Sequence, residues 1–405
     1  MRLALVNNYL YYRGGAEKVF RDQKELFREK GHDVFLFSQN HIDNLPDENQ
    51  SWFPRWSDPK KAGFITGLPR LLKFIYSHGN RKIFRRFLQR FQPDLVHAHN
   101  LYGGLTMAVI DAAVELDIPV VMTLHDYKMI SPSPNLLSGI EPCRECLVHP
   151  GALNCVWKKC HRGNFKSTLA YYCETWFNRR FKKYHKVKTF IVPSQYMKNT
   201  ITTAGVDPNV VKVVPNAIPL GPPPTFNVKG GYYFYAGRMS DEKGVRPLLE
   251  AFESFSGHLI LAGDGPQMEN YKKIAKGKNN IQFVGQLDQT RMDEHYRRCT
   301  AVVIPSLWPE TSSMTALQAM ANGKPVVASR VGALAEIVED GVTGFLFEPG
   351  NVKQLTGLLK DLDSHKALAE RMGENARVET EKKYSQERQY ETLMGIYEMV
   401  LRKGN

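Results

Sequence analysis

Two hydrophobic periods alternate along this chain of 405 residues. Short runs of Val, Ile and Leu with little polar alternation, beginning with LALVNN, predict strands buried on both faces. Between them, apolar residues recur three and four positions apart, first in GGAEKVFRDQKELFREKG, a helix closed by Gly31. The strand HDVFLFSQ follows, then DLVHAH, the helical GGLTMAVIDAAVEL, PVVMTLHD, KTFIVPSQ and VVKVVPN. Strands spaced by helices in this way predict a parallel, doubly wound sheet.

Residues 215–231, PNAIPLGPPPTFNVKGG, break every period and hold five prolines, so a linker is expected there. The alternation then restarts. YYFYAG, a helix from Val245, HLILAG, a helix from Pro266, IQFVG and a helix near Asp288 come first. TAVVIPS, a helix over Ser312–Asn322, PVVAS and GFLFEPG follow, and the tail from Asn351 is helical. The fold class expected is α/β, with two Rossmann-like domains over 1–214 and 232–384 facing a cleft. The last helix, 385–405, is expected to pack back on the first domain. In such sheets ligands bind beyond the carboxyl ends of the strands, which directs attention to the residues there.

Composition narrows the class. With 42% hydrophobic and 23% charged residues the chain reads as globular. No apolar run approaches the roughly 20 residues of a membrane-spanning helix. The first residues lack the apolar length of a signal peptide, so a cytoplasmic location is expected. The net charge of +13 is concentrated in two stretches. Lys60–Arg90 holds nine Lys or Arg and no acid; Val156–Lys188 holds ten and one acid. Both are interleaved with aromatics: Phe74, Tyr76, Phe84 and Phe87 in one, Trp176, Phe177, Phe181 and Tyr184 in the other. That combination predicts attraction to an anionic membrane surface, against the simpler reading of a solvated helix face. No nucleic-acid-binding signature accompanies the charge, so no nucleic-acid partner is expected.

At the strand ends, Gly14 and Gly15 open the first helix, where free N–H groups favour an anion. This is not GxGxxG, which lowers the case for dinucleotide chemistry. In the second half AGRMSDEKG follows the first strand. There Gly237 leads into Arg238 and Lys243, two cations placed as a diphosphate would need them. AGDGP contributes Gly263 and Asp264 in a tight turn that could pack on a base or ribose. PETSSMTALQAM sets Glu310 eight residues before Gln318, a little over two helical turns. Glu310 is either a helix cap or a ligand-binding carboxylate.

Taken in order, GR…EKG, AGDGP, FVG, PS…PE and ALQAMANGKPVVAS resemble glycosyltransferase family 4, the retaining GT-B sugar-nucleotide transferases. RGGAE and TLHDY belong to the same pattern, so the resemblance covers nearly the whole chain. It implies a UDP- or GDP-sugar donor and transfer of a hexose-type sugar to a glycan acceptor. A lipid-diphosphate-linked acceptor fits the basic first domain, with the enzyme peripheral on the cytoplasmic face of the membrane. Glu310 matches the first acid of the family's paired-acid motif, which contacts donor-sugar hydroxyls, with Ser312, Ser313 and Met314 offering backbone N–H groups. His125 matches a histidine that contacts the transferred hexose. Arg238, Lys243 and the Gly15 helix terminus would stabilise the leaving diphosphate, so no divalent metal is called for. Gln318 departs from the family's usual second Glu, which holds the ribose. An amide can still bond two hydroxyls, at a loss on the order of 1 kcal/mol. PNAIP departs as well, lacking the Gly and Asp that the family tends to have there.

Five of the six cysteines fall between residues 143 and 173. Cys143, Cys146, Cys155 and Cys160 have the spacing C-x2-C-x8-C-x4-C, which predicts a structural zinc in an insertion over about 128–186. Packed reduced thiols and a redox switch are the alternatives. For the activity, the alternatives are a GT-B epimerase or phosphorylase and a non-catalytic sugar-nucleotide binder.

Overall fold

The computed structural model describes residues 1–11, 14–56, 68–139, 141–149, 153–222 and 231–402. The chain divides into two compact units, Met1–Val214 with Tyr390–Asn405, and Pro215–Gln389.

The first unit is built on β1 (Arg2–Val6), β2 (Asp33–Phe37), β3 (Leu95–Ala98) and β4 (Val120–Thr123). A two-stranded hairpin, β5 (Leu137–Ser138) with β6 (Glu141–Pro142), precedes β7 (Thr189–Val192) and β8 (Val211–Val213). The main sheet runs β2-β1-β3-β4-β7-β8 and is parallel throughout. Successive residues of β1 feed different cores. Leu3 and Leu5 pack with Phe20, Phe27 and Tyr397, whereas Ala4 and Val6 pack with Phe84 and Phe87. This period of two explains why the strand shows no polar face: both faces are covered. Helix Gly15–Glu29 supplies Val19, Phe20, Leu26 and Phe27 at helical spacing, and Gly31 beyond it takes φ 80°. From Tyr390 the C-terminal helix Gln386–Arg402 contributes Leu393, Ile396, Tyr397 and Val400 to the same core. GGLTMAVIDAAVEL becomes helical only over Ala108–Val114. Its first residues form a turn with Gly103 at φ 67° and Thr106 at φ 62°. A side chain on Gly104 would stand 2.4 Å from Gln39 Nε2.

The second unit contains β9 (Tyr232–Ala236), β10 (His258–Ala262), β11 (Ile281–Gly285), β12 (Ala301–Ile304), β13 (Val326–Ser329) and β14 (Gly344–Phe347). Their order, β11-β10-β9-β12-β13-β14, is also all parallel. Tyr233 and Tyr235 face one core while Phe234 faces the other. The strand order reverses between β9 and β12, so their carboxyl ends diverge into loops at a switch point. The helix expected from Pro266 starts at Met268 and that near Asp288 at Gln289, with the Asp288 side chain accepting from Arg291 N. Of the expected linker, residues 223–230 lie outside the described residues. Pro215 O accepts from Gln389 Nε2 and Ile218 N donates to Tyr384 O, both within the second unit. Among the described residues no helix is long and apolar enough to cross a membrane.

Candidate functional site

The switch point of the second sheet brings together residues far apart in sequence. Lys243, just beyond β9, reaches Glu310, just beyond β12, with Nζ 2.8 Å from Oε1. Ser306 Oγ donates to the same carboxylate oxygen. Glu310 is buried and Lys243 half-buried, so water screens the pair only in part. The lysine also stands 5.3 Å from the centre of the Trp308 ring. Two glycines set this geometry. Gly244, at φ 68°, lies so close to β12 that a Cβ would fall 1.8 Å from Pro305 O. Gly332, at φ 56°, packs on the backbone of Glu310, whose carbonyl accepts from Ala333 N. Gly244 ends the EKG motif, but the reason for glycine there and at position 332 shows only once the opposing backbone is known.

The cap question resolves here. The helix spans Met314–Ala321, and the N-cap is Ser313, whose hydroxyl accepts from Ala316 N. Glu310 lies outside the helix, so it does not share a helical face with Gln318 as the eight-residue spacing suggested. Its carboxylate is turned to Lys243 and Ser306 instead. Gln318 sits on the helix, with Oε1 accepting from Tyr296 OH at 3.2 Å. Ser312 and Met314, on either side of the cap, are half-buried.

Arg238 is exposed at the end of β9, its carbonyl held by Tyr235 OH at 2.9 Å. Burial, followed by the Glu310 charge, pushes the Tyr235 phenol well up, keeping it a neutral donor. The AGDGP turn has a structural reason for its glycines. Gly263, at φ 127°, would put a Cβ 1.9 Å from Gly237 O, and Gly265 would put one 2.5 Å from Met239 O. Met239 N donates to Asp264 O, so this turn braces the loop that carries Arg238. The Asp264 side chain accepts from Gly265 N.

In the first unit His125 follows β4. Its Nε2 lies 2.9 Å from His99 Nδ1, with the rings stacked 5.2 Å apart. His97, on β3 and two residues before His99, bonds Thr123 Oγ1 at 2.7 Å and Tyr397 OH at 2.6 Å. Burial lowers the pKa of His125 to about 4 and that of His97 to about 3, and sets His99 well below 6.5. These imidazoles are therefore neutral at neutral pH, and the bond to His99 fixes how His125 is turned. The spacing H-x-H on a strand was the available signal for this row, since it puts both rings on one face. Asp126 accepts from Lys128 N and so shapes its own loop.

Gly14 has φ 175°, and only Glu17 Oε2, at 3.9 Å, would meet a Cβ there. The packing of the unit does not itself demand glycine at that position. Glu17, buried in the first turn, already places a carboxylate near the helix terminus opened by Gly15.

The first basic stretch does not form the aromatic surface expected of it. Phe74, on helix Leu68–Ile75, and Phe84 and Phe87, turned inward by helix His78–Phe91, are in the core, and Tyr76 OH bonds Asp111. Lys82, Arg85, Arg86 and Arg90 stay on its outer face, while residues 60–67 of the stretch lie outside the described residues. The second stretch does expose aromatics: Trp157, Phe165, Trp176 and Phe181 are all open to solvent, among Lys159, Arg162, Lys166, Arg180 and Lys182.

Cys143, Cys146, Cys155 and Cys160 line one small cavity, and all six cysteines are reduced. Among the described residues no group of three or more His, Cys, Asp or Glu side chains is poised as metal ligands.

Comparison with known proteins decides the family. The model of Glycosyltransferase Family 4 matches residues 13–221, more than half of the chain, and that of Glycosyl transferases group 1 matches 222–379. The chain belongs to glycosyltransferase family 4. It is 36% identical over 177 residues to a glycosyltransferase of Methanocaldococcus jannaschii, covering 42% of this chain and 49% of the relative. It is 26% identical over 318 residues to sulfoquinovosyl transferase SQD2 of Arabidopsis thaliana, covering 73% and 54%. The matches thus span about half the length of these relatives. Among solved structures, sucrose-phosphate synthase of Thermosynechococcus elongatus superposes with a TM-score of 0.71 at 18% identity, covering 99% of both chains. HepE of Anabaena in complex with UDP does so with a TM-score of 0.66 at 18% identity, covering 98% of this chain and 100% of that one. The fold of this family 4 member is therefore GT-B, each unit a Rossmann-like domain with its own parallel sheet.

Proposed function

We propose that this family 4 protein transfers a hexose-type sugar from a UDP- or GDP-sugar to a glycan acceptor, with retention of configuration. The observation that carries the reading is the Lys243–Glu310 pair at the switch point of the second sheet, with Arg238 exposed in the loop after β9. A sugar–diphosphate bond breaks with positive charge building at the anomeric carbon and negative charge on the departing phosphate. Arg238 and Lys243 supply cations for the phosphate, and Glu310 offers a buried acceptor for sugar hydroxyls. Lys243 and Ser306 hold that carboxylate in place, so little reorganisation is needed when donor arrives. Ser312, Ser313 and Met314 contribute backbone N–H groups at the helix start. Gln318, with Gly237, Gly263 and Asp264 on the neighbouring loops, is assigned to the nucleoside. In the first unit, Gly14 and Gly15 are assigned to a phosphate by the free N–H groups of the helix start, and His125, neutral and oriented by His99, to the hexose. Two cations meet the charge of the diphosphate without calling for a divalent metal. The UDP bound by HepE supports a uridine nucleotide as the first donor to try.

The acceptor is proposed to be lipid-linked. Trp157, 75% exposed, stands 5.9 Å from Phe165, and with Trp176, Phe181 and the surrounding lysines and arginines it suits an anionic bilayer surface. Gln318 favours one other reading, a non-catalytic sugar-nucleotide binder. A donor screen that follows release of UDP or GDP in the presence of lipid-linked acceptor separates the two. Acceptor-dependent release with one donor is expected. Nucleotide binding without turnover would favour the binder, and release that needs no acceptor, or needs phosphate, would point to epimerase or phosphorylase chemistry.

A further inference from the structure

The insertion after His125 holds a thiol cluster that sugar transfer does not use. Cys143 follows β6, Cys146 lies on helix Glu145–Val148, Cys155 on helix Asn154–Trp157, and Cys160 in the turn beyond. Their side chains line a single cavity with Ser131 and Ser133. Cys146, Cys155 and Cys160 are buried and form with Val156 one small apolar cluster, against which Leu169 and Tyr172 pack, partly exposed, and Leu136 and Leu137 line the same cavity. Both helices are four residues long, far below the length at which a helix holds itself in water. So small an apolar centre does not supply what is missing. No disulfide does so either.

We propose that Cys143, Cys146, Cys155 and Cys160 bind one zinc ion that fixes the insertion. The pair Cys143 and Cys146, with two residues between them, forms a chelate from one turn, and Cys155 with Cys160 provides the opposite pair, filling a tetrahedral shell. Binding turns the four sulfurs into their shared cavity by side-chain rotation and releases their protons to solvent as four Zn–S bonds form. Four thiolates on a dication leave a net charge of two minus. The lysines and arginines of the same segment, Lys158, Lys159, Arg162 and Lys166, are placed to balance it.

The test is metal analysis of the full chain, purified in reductant without chelator after expression with added zinc. About one zinc per chain is expected, with intense visible absorption when cobalt replaces it. Cys146→Ser and Cys155→Ser are each expected to lose the metal, whereas Cys173→Ser, outside the cavity lining, retains it. Less than about 0.2 zinc per wild-type chain would overturn the proposal, and needs no variant to fold. So would a Cys146–Cys155 disulfide in protein freshly isolated without reductant, or full retention of zinc in both serine variants. Because the readout is metal content, failure here leaves the reading of the sugar-nucleotide site untouched.

Discussion

Glu310 has two partners in this structure, Lys243 and Ser306, and a proposed third in the donor sugar. Removing the carboxylate affects both roles, since Lys243 is then left without its anion at a half-buried position. Glu310→Ala is expected to lower turnover by roughly 10²–10³, as for loss of one preorganised polar contact at a reacting centre. Glu310→Gln keeps the shape and a hydrogen-bond acceptor, so a smaller loss is expected. Steady-state rates on the donor found by the screen check this, and a near-normal rate for Glu310→Ala would remove the residue from the chemistry. The role of Glu310 was legible only in part. Its position after a buried strand pointed to the site, but its place just before a helix left it readable as a cap. Only folding showed that Ser313 takes that task and that Lys243 lies across the switch point.

At the scale of elements, the buried strands were readable because a run of apolar residues covered on both faces carries no competing period. What the sequence did not disclose is how strands share polar groups. His97 on β3 and His99 just beyond it meet Thr123, the last residue of β4, and His125 just beyond that strand, a pairing set by parallel register. This row makes the first unit sensitive to acid. An unfolded imidazole takes its proton near pH 6.5, but His97, His125 and His161 resist it down to about 3, 4 and 4, and His99 resists it as well, all through burial. Between pH 6.5 and 4 the unfolded chain therefore binds more protons, and stability falls with pH. Burial raises Glu174, to about 8, and Asp126, and both oppose the trend, two carboxyls against four imidazoles. The thermal midpoint of the first unit is expected to drop steadily from pH 6.5 to 4.5. A flat midpoint over that range would contradict the burial of the histidine row. The glycines were equally hidden: Gly244 is required by Pro305 O, sixty-one residues later in the chain.

For the whole molecule, the distribution of charge bears on the proposed contact with an anionic membrane surface. The excess of +13 was plain from composition, but its division was not. Helical periodicity hides Phe84 and Phe87 in the core, and Asp111 pairs with Lys183 and Lys186, so the exposed basic and aromatic surface narrows to the segment around Trp157, Phe165, Trp176 and Phe181. Binding to anionic vesicles is expected to weaken as salt rises past physiological strength, since the charges are screened over about 8 Å there. Replacing Trp157 and Trp176 by Ala should weaken it further at fixed salt. Sedimentation with vesicles of anionic and neutral composition checks both, and equal binding to neutral vesicles would contradict the electrostatic account.

The central claim is that the second unit holds a nucleoside diphosphate at the switch point between β9 and β12. A crystal structure with UDP or GDP, whichever the donor screen selects, tests it most directly. The account predicts phosphates beside Arg238 and Lys243, with Glu310 turned toward the position of the sugar. Phosphates bound elsewhere, with the Lys243–Glu310 pair undisturbed and no ligand near it, would contradict it.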